Sequence, residues 1–481
     1  MKWFQIKPIF FLFILKMSTI RSYFSQNTTL LRNNFTNNSR NPVFELSYGG
    51  SLNSGSTLIS RYLLKVDLNN ISGKTISGDL LVNQITSHKI KIKNVISESK
   101  DKVGGKFLDA YRGSNVNVIA YPITESWVEG TGYDFIYNPP AYNPDLLNTT
   151  PSNWYYKNSN VLWNENGSFS GSTPNIIIDT QYLQDGTEDI ELDVTNYING
   201  IIFSGNTNNG IGICFDANTE QFVANNRYVI TFFSKYTQTF FEPYLETTFD
   251  QVIIDNRNRF TMDSDQNLYL TSPKNDIDSV EKVIIYDYND EIYSIVSGTS
   301  ISKVNKNTYK ITLNINSDNY PDLVNFRDEW YYTGGDNNKQ YRFEQEFTLF
   351  NNDSNRFNKL QFTNSAFSLG FNGITYNEKL HMNQGIRRIN IITKRLYNSS
   401  IQRDLFVDNL QYRIYNQQGN NIEMEIVPWS QVNMSSTDGN YFDLDPSWLI
   451  PQFYFIEFQL VSNLYTYKPT ERIRFQVVSE N

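Results

Sequence analysis

Along much of the chain apolar residues fall at every second position. Tyr62, Leu64, Val66 and Leu68 alternate with Leu63, Lys65 and Asp67, so one face of an extended segment can be buried while the other stays mostly polar. Ile190, Leu192 and Val194 alternate with Glu191 and Asp193. The same period returns in Ile211, Ile213 and Phe215, and again in the aromatic run from Tyr228 to Phe233 that leads to Pro243. Leu64, Val66, Leu192, Val194, Ile211 and Ile213 are the expected inward face. These strands lie far apart in sequence, which predicts sandwich or jelly-roll pairing with long loops at the ends.

Strand patterns continue to the C-terminus. Val283 to Tyr288 is one; Tyr309, Ile311, Leu313 and Ile315, alternating with Lys310, Thr312 and Asn314, form another. Leu410, Tyr412 and Ile414 precede the turn-rich Asn416 to Asn421, then come Ile422, Met424 and Ile426, a hairpin signal. Tyr454, Ile456, Phe458 and Leu460, then Ile473, Phe475 and Val477, close the chain. Polar stretches at Asp255 to Arg259 and Asn351 to Asn358 mark boundaries. The expected organisation is all-β, a series of jelly-roll or Ig-like β-sandwich domains. An N-terminal extension and arm covers 1–42, a sandwich with a long loop 43–250, a small sandwich 251–350 and a C-terminal sandwich 351–481.

Between Glu125 and Asn175 the alternation lapses into Trp, Tyr, Asn, Pro and Gly. An excursion of that length without regular structure is functional or is anchored by its own side chains. Trp127, Tyr133, Trp154, Tyr155 and Trp163 are therefore the candidate binding residues, for a subunit interface or for a glycan. The plainer role for the tryptophans is anchoring, with each buried indole worth about 2–3 kcal/mol.

At the N-terminus Lys2 and Lys7 flank a short apolar run, Ile9 to Leu15, with Pro8 before it, Lys16 after it and no small-x-small cleavage site. This is either a leader or an extension upstream of a native start at Met17, and the run is too short to span a bilayer. From Met17 to Asn41 the chain is Ser, Thr and Asn with scattered Leu30, Leu31 and Phe35, which predicts an extended arm that docks on a neighbouring subunit.

The 481 residues carry 41 Lys+Arg against 50 Asp+Glu, a net charge of −9, which argues against a surface for nucleic acid or anionic membrane. Asn and aromatic residues are abundant and Ala is scarce, so a helical bundle is excluded. The single cysteine, Cys214, excludes an internal disulfide framework and a multi-cysteine zinc site. Only His88 and His381 supply imidazole. Each is expected at the surface, and Cys214 as a packed side chain. Sequons at Asn27, Asn148, Asn166 and Asn398 follow from the Asn content and say nothing about secretion.

Candidate chemistry thins on inspection. Ser72-Gly73-Lys74-Thr75 lacks the upstream glycine of a phosphate loop, because that position is Leu68. Asp263, Asp265 and Asn267 begin like a calcium loop, but Leu268 and Lys274 occupy its sixth and twelfth positions. Asp185, Glu188 and Asp189 read as a solvated turn. Glu125 and Glu129 beside Trp127 are the best carboxylate pair for glycoside hydrolysis, without any further sign of it. No cofactor, no metal site and no enzymatic activity are expected.

The stretches Glu125-Ser126-Trp127-Val128-Glu129-Gly130-Thr131-Gly132, Asp185 to Thr195, Asn208-Asn209-Gly210-Ile211-Gly212-Ile213, and Phe232-Phe233-Ser234-Lys235 through Pro243-Tyr244-Leu245-Glu246 follow one another in an order that resembles the DNRLRE-type β-sandwich. The resemblance covers about residues 43 to 248. That family occurs in bacterial surface proteins and in virion proteins of tailed bacteriophages. The Asn-rich arm and Asp445-Pro446-Ser447-Trp448-Leu449-Ile450-Pro451 look most like structural proteins of AT-rich tailed phages, crAss-like ones included. The resemblance implies a non-enzymatic virion protein in the phage particle, at the tail, neck or portal vertex, partnered by copies of itself and by other virion subunits. The alternative is a glycan- or receptor-binding adhesion module of a cell surface or tail fibre.

Overall fold

The computed structural model describes residues 18–32, 37–50, 58–95, 110–132, 151–158, 161–169, 177–272, 276–320, 323–335, 339–350, 367–395, 409–418, 422–435, 437–461 and 466–479. The leader of residues 1–16, Tyr133, the sequons at Asn148 and Asn398, the linker 351–358 and the hairpin turn 419–421 lie outside the described residues. Two compact units are present, Ile20–Thr248 and one built on Phe249–Asn481. The all-β class expected from the periodicity is the class observed.

The strands of the first unit are β1 (Ser18–Leu31), β2 (Val43–Gly49), β3 (Ser60–Val66), β4 (Ile85–Ile92), β5 (Ala110–Arg112), β6 (Val116–Pro122), β7 (Tyr156–Asn158), β8 (Val161–Leu162), β9 (Asp179–Leu183), β10 (Ile190–Asp193), β11 (Ile211–Phe215), β12 (Arg227–Phe233) and β13 (Tyr244–Phe249). Helix α1 (Asn69–Ile76) follows β3, α2 (Thr195–Ser204) follows β10, and the single turn α3 (Ala217–Glu220) follows β11. Eight strands pair in the order β10-β4-β13-β1-β3-β11-β6-β9, and β2-β12-β5 form a second sheet. The sheets meet where Phe44 stacks on Tyr62 at 3.5 Å between ring centroids and on Phe232 at 5.4 Å, and where Tyr48 meets Phe215 edge-on at 5.1 Å. Leu64, Val66, Leu192, Val194, Ile211 and Ile213 are all buried, as their shared period predicts.

The expected arm is a correction. Ser18–Leu31 is a fourteen-residue strand inside the eight-stranded sheet, paired with β3 from Phe24 to Leu31 across a bulge after Phe24 and flanked on its other side by β13. Sequence periodicity hides it because its buried positions mix Ile20, Phe24 and Leu30 with Ser22, Asn27, Thr28 and Thr29. Those polar groups find partners inside: Asn37 Nδ2 donates to Thr28 Oγ1 at 3.0 Å, and the Tyr62 hydroxyl donates to Asn27 Oδ1 at 2.9 Å.

The terminal strand β10 of this sheet is covered rather than left open. The Glu191 N–H donates to Gln181 Oε1 and the Asp193 N–H to Asp179 Oδ2, each at 2.7 Å, while Gln181 Nε2 donates to the Asp189 carbonyl at 2.9 Å. Side chains of β9 thus satisfy the free edge of β10.

The second unit contains two further sandwiches. In one, a five-stranded sheet running from Phe260–Thr261 through Lys339–Phe350, Val324–Gly334 and Ile277–Tyr286 to Ile292–Ser297 packs on a three-stranded sheet over Ile285, Ile311, Phe326 and Trp330. In the other, a four-stranded sheet packs on a six-stranded one, with Phe371 stacked on Phe458 at 5.0 Å and Tyr412 on Phe442 at 4.3 Å. The predicted hairpin is present as Leu410–Gln418 paired antiparallel with Ile422–Gln431. Within the polar stretch at Asp255 to Arg259, Asp255, Asn256 and Arg257 are buried, and the Asp255 N–H donates to the Met434 carbonyl at 2.9 Å.

Candidate functional site

Leu63 was expected on a polar face, yet both faces of β3 are buried. The second face exists because the aromatic excursion folds back over the sheet. Leu63, Ile119, Tyr121 and Cys214 point away from the sandwich interior and are covered by Trp127, Trp154, Trp163 and Phe169 in one cluster, with Tyr155 half-buried at its margin. The Trp127 indole N–H donates to the Asn209 carbonyl and that of Trp163 to the Asn153 carbonyl, each at 2.8 Å. All three indoles are at most 6% exposed. A sugar-stacking platform needs an open ring face, and these rings are spent on packing.

Two glycines fit this layer to the sheet. A Cβ on Gly212 would meet the Tyr121 ring at 2.0 Å, and one on Gly167, which has a φ of +73°, would meet the Trp154 ring at 2.7 Å. The ring–backbone approach at β11 therefore requires glycine.

Arg61 of β3 joins the layers. Its Nε and Nη2 donate to Glu220 of α3 at 2.9 and 2.7 Å, its Nη1 donates to the Gly167 and Phe169 carbonyls at 2.9 Å each, and its guanidinium carbon lies 5.0 Å from the Trp154 ring centroid. Burial opposes the charge, but Glu220 outweighs it and holds the Arg61 pKa above its ordinary value. The neighbouring Cys214 thiol is pushed up by burial, so it stays protonated and inert as a packed side chain.

The candidate carboxylates are committed to structure. Glu125 pairs with Lys157 and accepts from the Asn164 N–H at 3.0 Å. Glu129 Oε1 accepts from the Asn27 N–H at 2.9 Å and from Asn27 Nδ2 at 3.1 Å, with Lys235 Nζ 3.9 Å away. Nearby, burial pushes Glu242 up to about 7 against the opposing pull of Lys235. Glu188 closes its turn by accepting from the Gln184, Asp185 and Thr187 N–H groups, and Asp189 pairs with Lys93 at 2.5 Å. Asp263 accepts from Ser317, while Lys274 of the would-be calcium loop lies outside the described residues. Ser72-Gly73-Lys74-Thr75 lies in α1, not in a strand-to-helix loop.

His88 is a second correction. It is fully buried on β4, with Nδ1 2.8 Å from Thr247 Oγ1 and Nε2 3.2 Å from Asn199 Oδ1 of α2. Burial lowers its pKa to about 4, so the ring is neutral at physiological pH. The polar residues around it in sequence hid this, because its partners come from β13 and α2. His381 is exposed on Glu378–His381, as expected.

Among the described residues no group of three or more His, Cys, Asp or Glu side chains is placed to hold a metal, and no helix is long and apolar enough to cross a membrane.

No family model and no curated protein matches the chain. Solved structures align at low similarity. Elastase-activated Escherichia coli alpha-2-macroglobulin is 10% identical over 47% of this chain and 20% of its own, with a TM-score of 0.18. A DUF4785 family protein of Legionella pneumophila is 8% identical over 94% and 93%, with a TM-score of 0.16. Immunoglobulin domains 1–4 of Sidekick-1 are 12% identical over 47% and 51%, with a TM-score of 0.18. The chain thus spans about a fifth of the first of these proteins and half of the third.

Proposed function

We propose that this chain works by association, without turnover, as a structural subunit of a larger assembly. Following the resemblance of residues 43–248, that assembly is the virion of a tailed bacteriophage, at its tail, neck or portal vertex. The observation that carries the association reading is the contrast between two edges of one sheet. Among the described residues Lys339–Phe350 is paired on its outer side only at Leu349 and Phe350, and the rest of it is studded with exposed Lys339, Arg342, Glu344 and Glu346. Charges of this kind keep an edge from pairing with other chains.

The opposite edge, Ile292–Ser297, has no charge in Ile-Tyr-Ser-Ile-Val-Ser, and Ile292 and Ile295 are 58% and 56% exposed. Tyr288 and Leu323 are exposed as well. An uncharged apolar edge in a solvent-facing position fits a partner strand or an apolar partner surface. Burial of Trp127, Trp154 and Trp163 speaks against the glycan alternative through that loop. The test is Ile295→Lys in the phage genome. Incorporation of the protein into purified particles, quantified by mass spectrometry, is expected to fall while the melting of the isolated variant matches wild type. Normal incorporation would remove this edge from the assembly.

A further inference from the structure

Asn27, Glu129, Lys235 and Tyr62 come from four separate parts of the first unit and meet at one point. Asn27 lies on β1 and is 1% exposed; Tyr62 lies on β3 and is fully buried. The Asn27 amide is oriented from both ends, since Oδ1 accepts from the Tyr62 hydroxyl at 2.9 Å and Nδ2 donates to Glu129 Oε1 at 3.1 Å. The same Glu129 oxygen lies 3.9 Å from Lys235 Nζ, and Lys235 is steered there by donating to the Ser25 carbonyl two residues before Asn27. One carboxylate oxygen therefore sits beside both an amine and a carboxamide nitrogen. Tyr236 also hydrogen bonds Glu129, and Phe44 stacks on Tyr62, so the position is walled by aromatic rings.

This arrangement has the parts of an amide exchange: a nucleophilic amine, a carboxamide with a hydrogen-bond donor on its oxygen, and a carboxylate to carry the proton between two nitrogens. We propose that Lys235 and Asn27 become joined by an amide bond between their side chains, formed by the folded protein itself with Glu129 as the catalytic carboxylate. Glu129 takes a proton from the Lys235 ammonium. The freed amine attacks Asn27 Cγ, and the Tyr62 hydroxyl stabilises the oxygen of the tetrahedral adduct. Glu129 then returns the proton to Nδ2, the Cγ–Nδ2 bond breaks, and ammonia departs, taking up the remaining ammonium proton. One ammonium and one carboxamide give one substituted amide and one ammonium ion, with no change in charge and no oxidant.

The bond would tie β1 to the connection between β12 and β13, closing a loop of about 200 residues, the kind of long-range link that restricts an unfolded chain most. The proposal is independent of the assembly to which the protein belongs. It is tested on the purified full chain by intact mass, followed by proteolysis and sequencing of any branched peptide. Wild type is expected to weigh less than its sequence by one ammonia, with Lys235 and Asn27 in one branched peptide. Lys235→Arg is expected at full sequence mass, and Glu129→Gln at full mass while giving a wild-type circular dichroism spectrum. A wild-type mass equal to that of the unlinked chain overturns the proposal. A Glu129→Gln variant that still loses ammonia overturns the role assigned to that carboxylate.

Discussion

Two buried arginines hold irregular chain against a sandwich in this protein, and they do it from opposite sides. Arg61 stands in a regular strand and reaches outward, spending two N–H groups on Glu220 and two hydrogen bonds on the Gly167 and Phe169 carbonyls of the aromatic excursion. Arg257 belongs to the irregular segment itself and reaches inward. It donates to Asp255 Oδ2 at 2.5 Å, to both Asp328 oxygens at 3.2 and 2.5 Å, and to the Tyr269 carbonyl at 2.7 Å, while the Trp330 indole also donates to Asp328. In the first cluster Glu220 faces Arg61 and also acts on the charge of Arg32; in the second one cation, Arg257, is set against two carboxylates. The difference is in what each arginine leaves behind: removing Arg61 takes the bidentate partner from one carboxylate and loosens a covering layer, whereas removing Arg257 takes the guanidinium from two carboxylates inside a core.

The largest expected effect is therefore at Arg257. Arg257→Met should cost about 5 kcal/mol in the unfolding of its unit, at the upper end for a broken buried ion pair, and Arg61→Met about 3 kcal/mol. Chemical denaturation of the two variants measures the gap. Burial already raises the Asp255 pKa against the pull of Arg257. With the guanidinium gone the largest opposing pull is lost and burial raises the Asp255 pKa further, so the folded state binds protons more readily than the unfolded one. Arg257→Met should recover stability on acidification, and an unchanged pH profile would place its carboxylates in solvent.

His88 sharpens the comparison from the side of the first unit. Its folded pKa, about 4, lies below the ordinary imidazole value. The folded state therefore favours the neutral ring; this contribution is complete above roughly pH 6.5 and is lost as pH falls toward 4. Up to about 3 kcal/mol should disappear over that window. His88→Asn should flatten the acid limb of the stability profile of this unit.

The smallest effect is expected at Glu125. Glu125→Gln removes the pair with half-buried Lys157 but keeps an acceptor for the Asn164 N–H, so thermal melting should report a loss below about 1 kcal/mol.

Period-two segments could be read directly, because Leu64, Leu192 and Ile213 bury one face each and repeat on schedule. β1 could not, since its interior positions are filled by Asn27, Thr28 and Thr29, whose burial depends on Tyr62 and Asn37 arriving from elsewhere. His88 was misplaced for the same reason, and the burial of Arg257 was equally hidden: a polar residue is buried only where distant partners satisfy it, and no local pattern announces them. The aromatic excursion was visible as a lapse in alternation, and four of its five chosen residues do come together. Their destination, over the outward face of β3, β6 and β11, was foreshadowed only by Leu63, an apolar residue on the face read as mostly polar, and by Cys214, expected to be packed although it alternates with the inward-facing Ile213.

That the excursion is a third layer of the core is tested most directly by hydrogen exchange. The Gly167 N–H donates to the Trp154 carbonyl at 2.7 Å and the Trp163 N–H to the Tyr155 carbonyl at 3.0 Å. In wild type these two amides should exchange as slowly as those of β11. They should lose protection in Arg61→Met and keep it in Arg257→Met. Rapid exchange of both amides in wild type, at the rate of an exposed loop, would contradict the third layer and return the tryptophans to candidacy as a ligand platform.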